Sequence, residues 1–269
     1  MSRKKLLVDN VTIGADIEVF LENNLGEIIS AEGIIKGTKD EPFRFMDNND
    51  YFGTSLDNVM AEFCIPPATN HKEFYDYIQH ALGYINTSLP ENVRTIAIPA
   101  AKINEKYLQT DNAKLFGCDP DYNAWLMGYM NPIPEAKGNL RSCGGHIHIG
   151  YGTPNDLISM CIIRAMDIYV GLPSILQEPD NERKSLYGKA GAFRMKPYGV
   201  EYRTISNYYI NSEQLTNWVF NNTLEAIAFV NAQKSVTEEE AHAIRTAINS
   251  NEKALAKTMC DYFNVKLAA

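Results

Sequence analysis

Residues 141–151 read Arg141-Ser142-Cys143-Gly144-Gly145-His146-Ile147-His148-Ile149-Gly150-Tyr151, and the reading of this stretch decides the fold. As a strand it alternates its side chains between two faces. His146 and His148 then point one way, Ile147 and Ile149 the other. The glycines on either side leave the backbone bare, which suits close approach by a ligand or another strand. Two structural histidines at a sheet edge would be the plain interpretation. Two of the chain's five histidines at i and i+2, hedged by glycine, point instead to a metal or substrate site.

Working outward, other stretches repeat the pattern. Val11–Leu21 reads as a strand by its β-branched and aromatic content, with Asp16 and Glu18 on one face and Ile17 and Val19 on the other. Asn23–Gly26 is turn material, and residues 27–35 are expected to return as a second strand. Residues 33–51 read as a polar loop. Leu56–Ile65 reads as a third strand carrying Asn58 and Glu62, stopped by Pro66-Pro67. Val93–Ala101 reads as a further strand, and Glu201 and Arg203 sit at i and i+2 on another, between Val200 and Tyr202.

The intervening segments are helical or irregular. Asn70 and Glu73 form a helix-start box for an amphipathic run to about Thr87. Thr153-Pro154-Asn155 opens a helix through Ile168 that is expected to break near Gly171–Pro173. Residues 104–138 are irregular, with a turn over Phe116–Tyr122, and a connection of that length reads as a substrate loop. Helices fill 212–265, including a capping box at Thr237 and Glu240 and a last helix starting at Ser250 or Asn251. They are expected to cover the back of the sheet.

The totals narrow the possibilities. A chain of 269 residues, 45% hydrophobic and 22% charged, buries a full core without staples, and no linker or repeat divides it, so one domain over 1–269 is expected. A net charge of −8 and a pI near 5.2 give no general support to nucleic-acid or anionic-membrane partners. The cysteines at 64, 118, 143, 161 and 260 form no C-x-x-C pair, so neither a disulfide framework nor a zinc knuckle is indicated. The apolar run at the N-terminus ends too early for a signal peptide, and no stretch reads as long enough to span a membrane. A cytoplasmic protein is expected.

Against that acidic background, Arg183–Arg203 carries Arg183, Lys184, Lys189, Arg194, Lys196 and Arg203 with a single acid, Glu201. The reversal, with its glycines, points to a bound polyanion. Lys184 and Lys196 are read as solvated. Three strands thus each present a polar pair, and a fourth presents Glu62. Together they place carboxylates, imidazoles and an arginine on one sheet face. Carboxylates 4 Å apart repel by about 4 kcal/mol at an effective dielectric of 20, so converged acids need cations. Oxygen ligands favour Mg²⁺ or Mn²⁺ and tolerate a histidine.

Gly14-Ala15-Asp16-Ile17-Glu18 resembles the first acidic strand of the glutamate–cysteine ligase-like carboxylate–amine ligases, whose sheet is shared with glutamine synthetase. Glu62–Pro67 resembles their second acidic strand, Gly145–Ile149 their histidine strand, and Glu201-Tyr202-Arg203 a late Glu-Phe-Arg strand. The order holds over residues 11–207, and with Arg183…Arg194 the set is most similar to the phage-type members. Asp16 departs from the usual glutamate. The resemblance implies an α+β fold in which a curved, largely antiparallel sheet forms an active-site funnel with helices packed outside. It implies a reaction in which ATP phosphorylates a carboxylate and an amine then displaces phosphate.

The resemblance also assigns roles. Asp16, Glu18, Glu62, His148 and Glu201 would hold Mg²⁺ (or Mn²⁺), with His146 either a further ligand or a substrate contact. Arg203 and Arg194 would clamp phosphate, Lys189 and Arg183 would assist, and Glu18, Arg194 and Arg203 would act in catalysis. The substrates would be a small-molecule or peptide carboxylate and amine, chosen by residues 104–138. Two alternatives stay open from the residues alone. One is a divalent-metal hydrolase built on His146 and His148; the other is a non-catalytic nucleotide-binding relative.

Overall fold

The computed structural model describes residues 7–47, 49–114, 121–132, 138–179 and 182–268. Residues 116–120 of the expected turn, with Cys118, lie outside them, as do the first six residues. The strands are β1 (Thr12–Asn23), β2 (Ile28–Ile29), β3 (Phe43–Arg44), β4 (Gly53–Asp57), β5 (Met60–Cys64), β6 (Val93–Ile96) and β7 (Ala100–Lys102). They continue with β8 (Tyr122–Asn123), β9 (Tyr129–Met130), β10 (Leu140–Ser142), β11 (Gly145–Gly150), β12 (Ala192–Lys196) and β13 (Gly199–Tyr202). The helices are α1 (His71–Ser88), α2 (Asp111–Lys114), α3 (Asp156–Met166), α4 (Leu172–Gln177), α5 (Glu213–Asn231), α6 (Glu238–Asn249) and α7 (Lys253–Tyr262).

The fold is α+β. One antiparallel sheet runs in the order β3-β4-β5-β1-β11-β13-β12-β8-β9, with β2 and β6 also paired to β1. β1 is its axis because it is long enough to pair on both sides. Ile13, Ala15, Ile17 and Val19 on its rear face are almost wholly buried. They share a core with Phe74 and Ile78 of α1, Ile162 and Ile163 of α3, and Val219 and Ala226 of α5. The apolar period of each helix meets the apolar period of the strands, so the rear of the sheet is covered and its front is left polar. Asn70 caps α1 by accepting from the Glu73 amide, and Thr237 with Glu240 forms the capping box of α6.

Several sequence expectations are corrected. Leu56–Ile65 is not one strand but the hairpin β4–β5. Asp57 pairs with Met60, and Asn58 sits at φ 56° in the turn, a conformation asparagine tolerates. Residues 141–151 divide at Cys143-Gly144. β10 pairs with β7 in a separate ribbon, while β11 joins β1 and β13. At Gly145 a Cβ would strike the Ser206 carbonyl and the Tyr209 ring, so glycine permits the crossing. The return strand at 27–35 shrinks to Ile28–Ile29, and 93–101 splits into β6 and the start of β7. The last helix begins at Lys253.

The helix opened by Asn155 does not break at Gly171–Pro173. A π-turn over Asp167–Gly171 carries it into α4. The resulting 22-residue segment Asp156–Gln177 contains an 18-residue window of mean hydropathy 1.4, so it is long and apolar enough to cross a membrane, contrary to expectation. In the fold 78% of its most apolar window is buried against the rest of the protein.

Candidate active site

The sheet register brings the polar pairs into one band on the front face. Asp16 lies opposite His146 on one side and Cys64 on the other. Glu18 lies opposite Glu62, and His148 opposite Glu201, which in turn lies opposite Arg194. Asp16, Glu18, Glu62, His146, His148 and Glu201 are residues that alternation predicted for a single face; Arg194 and Cys64 join them, and the band spans five adjacent strands.

At the centre, ligand atoms of Glu18, Glu62 and His146 lie within 4.8 Å of one another. Glu18 is buried and its Oε2 accepts from the Gly144 amide at 2.6 Å. Burial and then the Asp57 carboxylate push its pKa up to about 7. Glu62, which accepts from Ser55 at 3.2 Å, is pushed up to about 7 by burial and by Asp16 and Glu18. Burial and Arg203 hold His146 neutral, well below the usual imidazole range. Two facing carboxylates and a neutral imidazole fit a divalent cation, since a positive charge among them removes the repulsion that raises both acids. Two oxygens to one nitrogen suit Mg²⁺ or Mn²⁺.

Glu201 and His148 are engaged differently. Glu201 is 1% exposed, bonded to Arg203 and paired with Lys196 at 2.8 Å. Burial would raise its pKa, but Arg203, His146, His148 and Lys196 together hold it well below the carboxylate range. His148 places Nε2 3.1 Å from Asp16 and Nδ1 2.7 Å from the Tyr198 hydroxyl. Burial disfavours its charge, yet Asp16 raises its pKa on balance.

Two cavities adjoin the cluster. The inner one is lined by Glu18, His146 and Asp57 together with Arg141, Arg183 and Arg203. The outer cleft, about 370 Å³, is lined by Asp16, Glu62 and His148 with Lys39, Arg44, Arg194 and Lys196. The central cluster therefore has members on both. Arg203 reaches Glu201 and His146 (3.2 Å), with Asp121 3.9 Å away. Arg183 is 2% exposed and donates to the Thr204 carbonyl at 2.9 Å.

Lys189 lines neither cavity; its ammonium donates to the Lys184 carbonyl at 2.6 Å. Neither lysine read as solvated is so. Lys184 is 5% exposed and donates to the Gly188 and Thr204 carbonyls, and burial lowers its pKa to about 7. Lys196 faces Glu201. Both follow from strand placement that composition does not reveal.

Sequence reasoning missed Asp57, Lys39, Asp121 and Arg141. Asp57 pairs with Lys39 at 2.9 Å and stands beside Glu18. Its only signal was the Asp-Asn dipeptide, a hairpin mark hidden inside an apparently continuous strand. Arg141 stood in the opening stretch without a role; Lys39 and Asp121 lie in loops with no pattern around them.

An antiparallel sheet thus bears an acid–imidazole cluster between two cavities that arginine and lysine side chains help to line. The chain belongs to the phage phiEco32-like COOH.NH2 ligase type 2 family, which matches residues 126–264, more than half its length. That span contains the histidine strand, the basic run and Glu201 but not Asp16, Glu18 or Glu62. Comparison with curated proteins yields no match. Among solved structures, the chain is similar to a bifunctional glutathione synthetase from Pasteurella multocida at 11% identity and TM-score 0.44. The alignment covers 94% of this chain and 49% of that one, so the chain spans about half that protein's length.

Proposed function

We propose that the chain is an ATP- and Mg²⁺-dependent carboxylate–amine ligase that works through an acyl phosphate and releases ADP. The observation that carries this reading is the Glu18–Glu62–His146 cluster standing between a cation-lined cleft and an arginine-lined cavity. The two sides suit a triphosphate and an acceptor carboxylate, which must meet for phosphoryl transfer.

On this reading Arg194, Lys196, Lys39 and Arg44 hold the phosphates in the outer cleft. Arg203, Arg183 and Arg141 hold the acceptor carboxylate in the inner cavity, where planar donors favour bidentate contact. Glu18, Glu62 and His146 would hold the divalent ion, with Asp16 and His148 bordering it. When bound, that ion supplies charge neutralisation and alignment for the transferred group. A carboxylate oxygen bonds to the γ-phosphorus as its bond to ADP breaks. The amine nitrogen then bonds to the acyl carbon, phosphate leaves, and the surplus ammonium proton passes to solvent. A small-molecule or peptide acid and amine, rather than nucleic acid or membrane, are the partners, and a cytoplasm (the host's, for a phage gene) supplies the nucleotide.

Incubation with MgATP, hydroxylamine and a panel of carboxylic acids tests the reading. A hydroxamate formed together with ADP supports it. AMP release points to adenylation, and water-driven cleavage with zinc and no ATP points to a hydrolase; either result overturns it.

A further inference from the structure

A third cavity, about 180 Å³, opens at the mouth of the site and shares Tyr51, Ile65, His148 and Tyr198 with the outer cleft. Its remaining lining comes from Thr12, Gly14, Pro67 and Gly150, and among the described residues no carboxylate, ammonium or guanidinium group belongs to it. A slot without formal charge, apart from an imidazole, therefore runs directly into a cleft with four cationic side chains. A ligand spanning both would be uncharged at one end and polyanionic at the other. Tyr51 and Tyr198 are 61% and 46% exposed, so their ring faces are available at the mouth. Tyr198 already lies against His148, with centroids 6.0 Å apart and planes inclined by 28°.

The slot offers little to the edge of a ring. His148 Nδ1 is bonded to the Tyr198 hydroxyl, and its Nε2 lies 3.1 Å from the Asp16 carboxylate. The amides of Ile13, Ile65 and Ala68 are paired within the backbone, and Pro66 and Pro67 have no N–H. The hydroxyls of Thr12 and Tyr51 are the remaining side-chain polar groups of the lining. Stacking tolerates any base because every base has a π-face, whereas choosing between bases needs hydrogen bonds to their edges.

We propose that this slot is a nucleobase subsite that grips the ring by its faces, so that the chain takes purine nucleoside triphosphates without choosing between adenine and guanine. The assignment rests on the ATP reading above. Gly14 forms part of the floor, where a Cβ would come no nearer than 3.6 Å to its neighbours, the ordinary contact distance. Gly14→Val thus builds into the slot from a strand position where a Cβ fits. Tyr51→Ala, at an exposed loop residue, removes a stacking face without touching the core.

Calorimetric titration of the whole chain with MgATP, MgGTP and magnesium tripolyphosphate tests the proposal. In the parent, MgATP and MgGTP should bind within about threefold of each other, and each about tenfold or more tighter than tripolyphosphate. Gly14→Val, at a position outside the outer cleft, should cut that tenfold advantage while leaving tripolyphosphate affinity unchanged, and Tyr51→Ala should cut it as well. Tripolyphosphate binding as tightly as MgATP, or a preference for adenine above about thirtyfold, overturns the slot alone. If phenethylamine binds and loses affinity in Gly14→Val while MgATP does not, the slot belongs to the amine substrate and the proposal fails. Binding of neither nucleotide nor tripolyphosphate overturns the ATP reading along with it.

Discussion

Glu18 and Glu62 are direct cross-strand partners on β1 and β5, two carboxylates facing each other on the polar front of the sheet. Like charges directly opposite destabilise a sheet, and both acids are pushed up to about 7 from an ordinary 4.5. Each therefore holds its proton more tightly in the folded chain than in the unfolded one. Between about pH 5 and 7 the folded state binds more protons, so the stability of the ion-free protein falls as pH rises, by on the order of a few kcal/mol. His146, held neutral, works in the opposite direction near pH 6.5, so comparison with Glu62→Gln isolates the acids. Urea unfolding at pH 5.5 and 7 should give a shallower loss in Glu62→Gln, and in the parent with Mg²⁺. Equal slopes would mean the pair does not titrate in this range.

Gly144 has two roles at one position. Its amide donates to Glu18, and a Cβ there would run into the His146 imidazole. Gly144→Ala should therefore displace His146 and weaken Mn²⁺ binding about 10- to 100-fold, the range seen when groups supporting metal ligands are lost. Thermal stability should change less than it does for a core truncation. Calorimetric Mn²⁺ titration checks this, and unchanged affinity would remove His146 from the ligand set.

Glu201 is the negative centre of a buried cationic group. Removing it leaves Arg203 and Lys196 without their shared partner, and uncompensated buried charge is costly. Glu201→Gln should lower stability by about 3–5 kcal/mol without any divalent ion present. A metal ligand whose charge is otherwise unneeded would leave the ion-free protein as stable or more so. Denaturant midpoints for parent and variant in a chelator distinguish the two cases.

Lys184 should behave as a structural residue despite its charge. Lys184→Met removes the donor to the Gly188 and Thr204 carbonyls and should cost about 1–3 kcal/mol. Lys72→Ala, on an exposed i,i+4 pair with Asp76, should cost less than about 0.5 kcal/mol. Chemical denaturation measures both, and equal effects would place Lys184 back at the surface.

Local chemistry determined much of this protein from sequence alone. Alternation placed Asp16, Glu18, His146, His148 and Glu201 on faces because a strand's side chains have a period of two whatever surrounds them. Capping residues marked Asn70, Asn155 and Thr237 because a helix start is satisfied by its own neighbours. Tertiary structure decided the rest, because it depends on which strands become adjacent. Only the register sets Glu18 against Glu62 and gathers His146, rather than His148, with them. Only the packing of residues 183–188 against Thr204 takes Lys184 out of water, and only the hairpin at Asn58 brings Asp57 beside Glu18. The helix through Gly171–Pro173 continues as a π-turn whose Asp167 accepts from the Tyr202 hydroxyl, a long-range contact that no window along the chain contains.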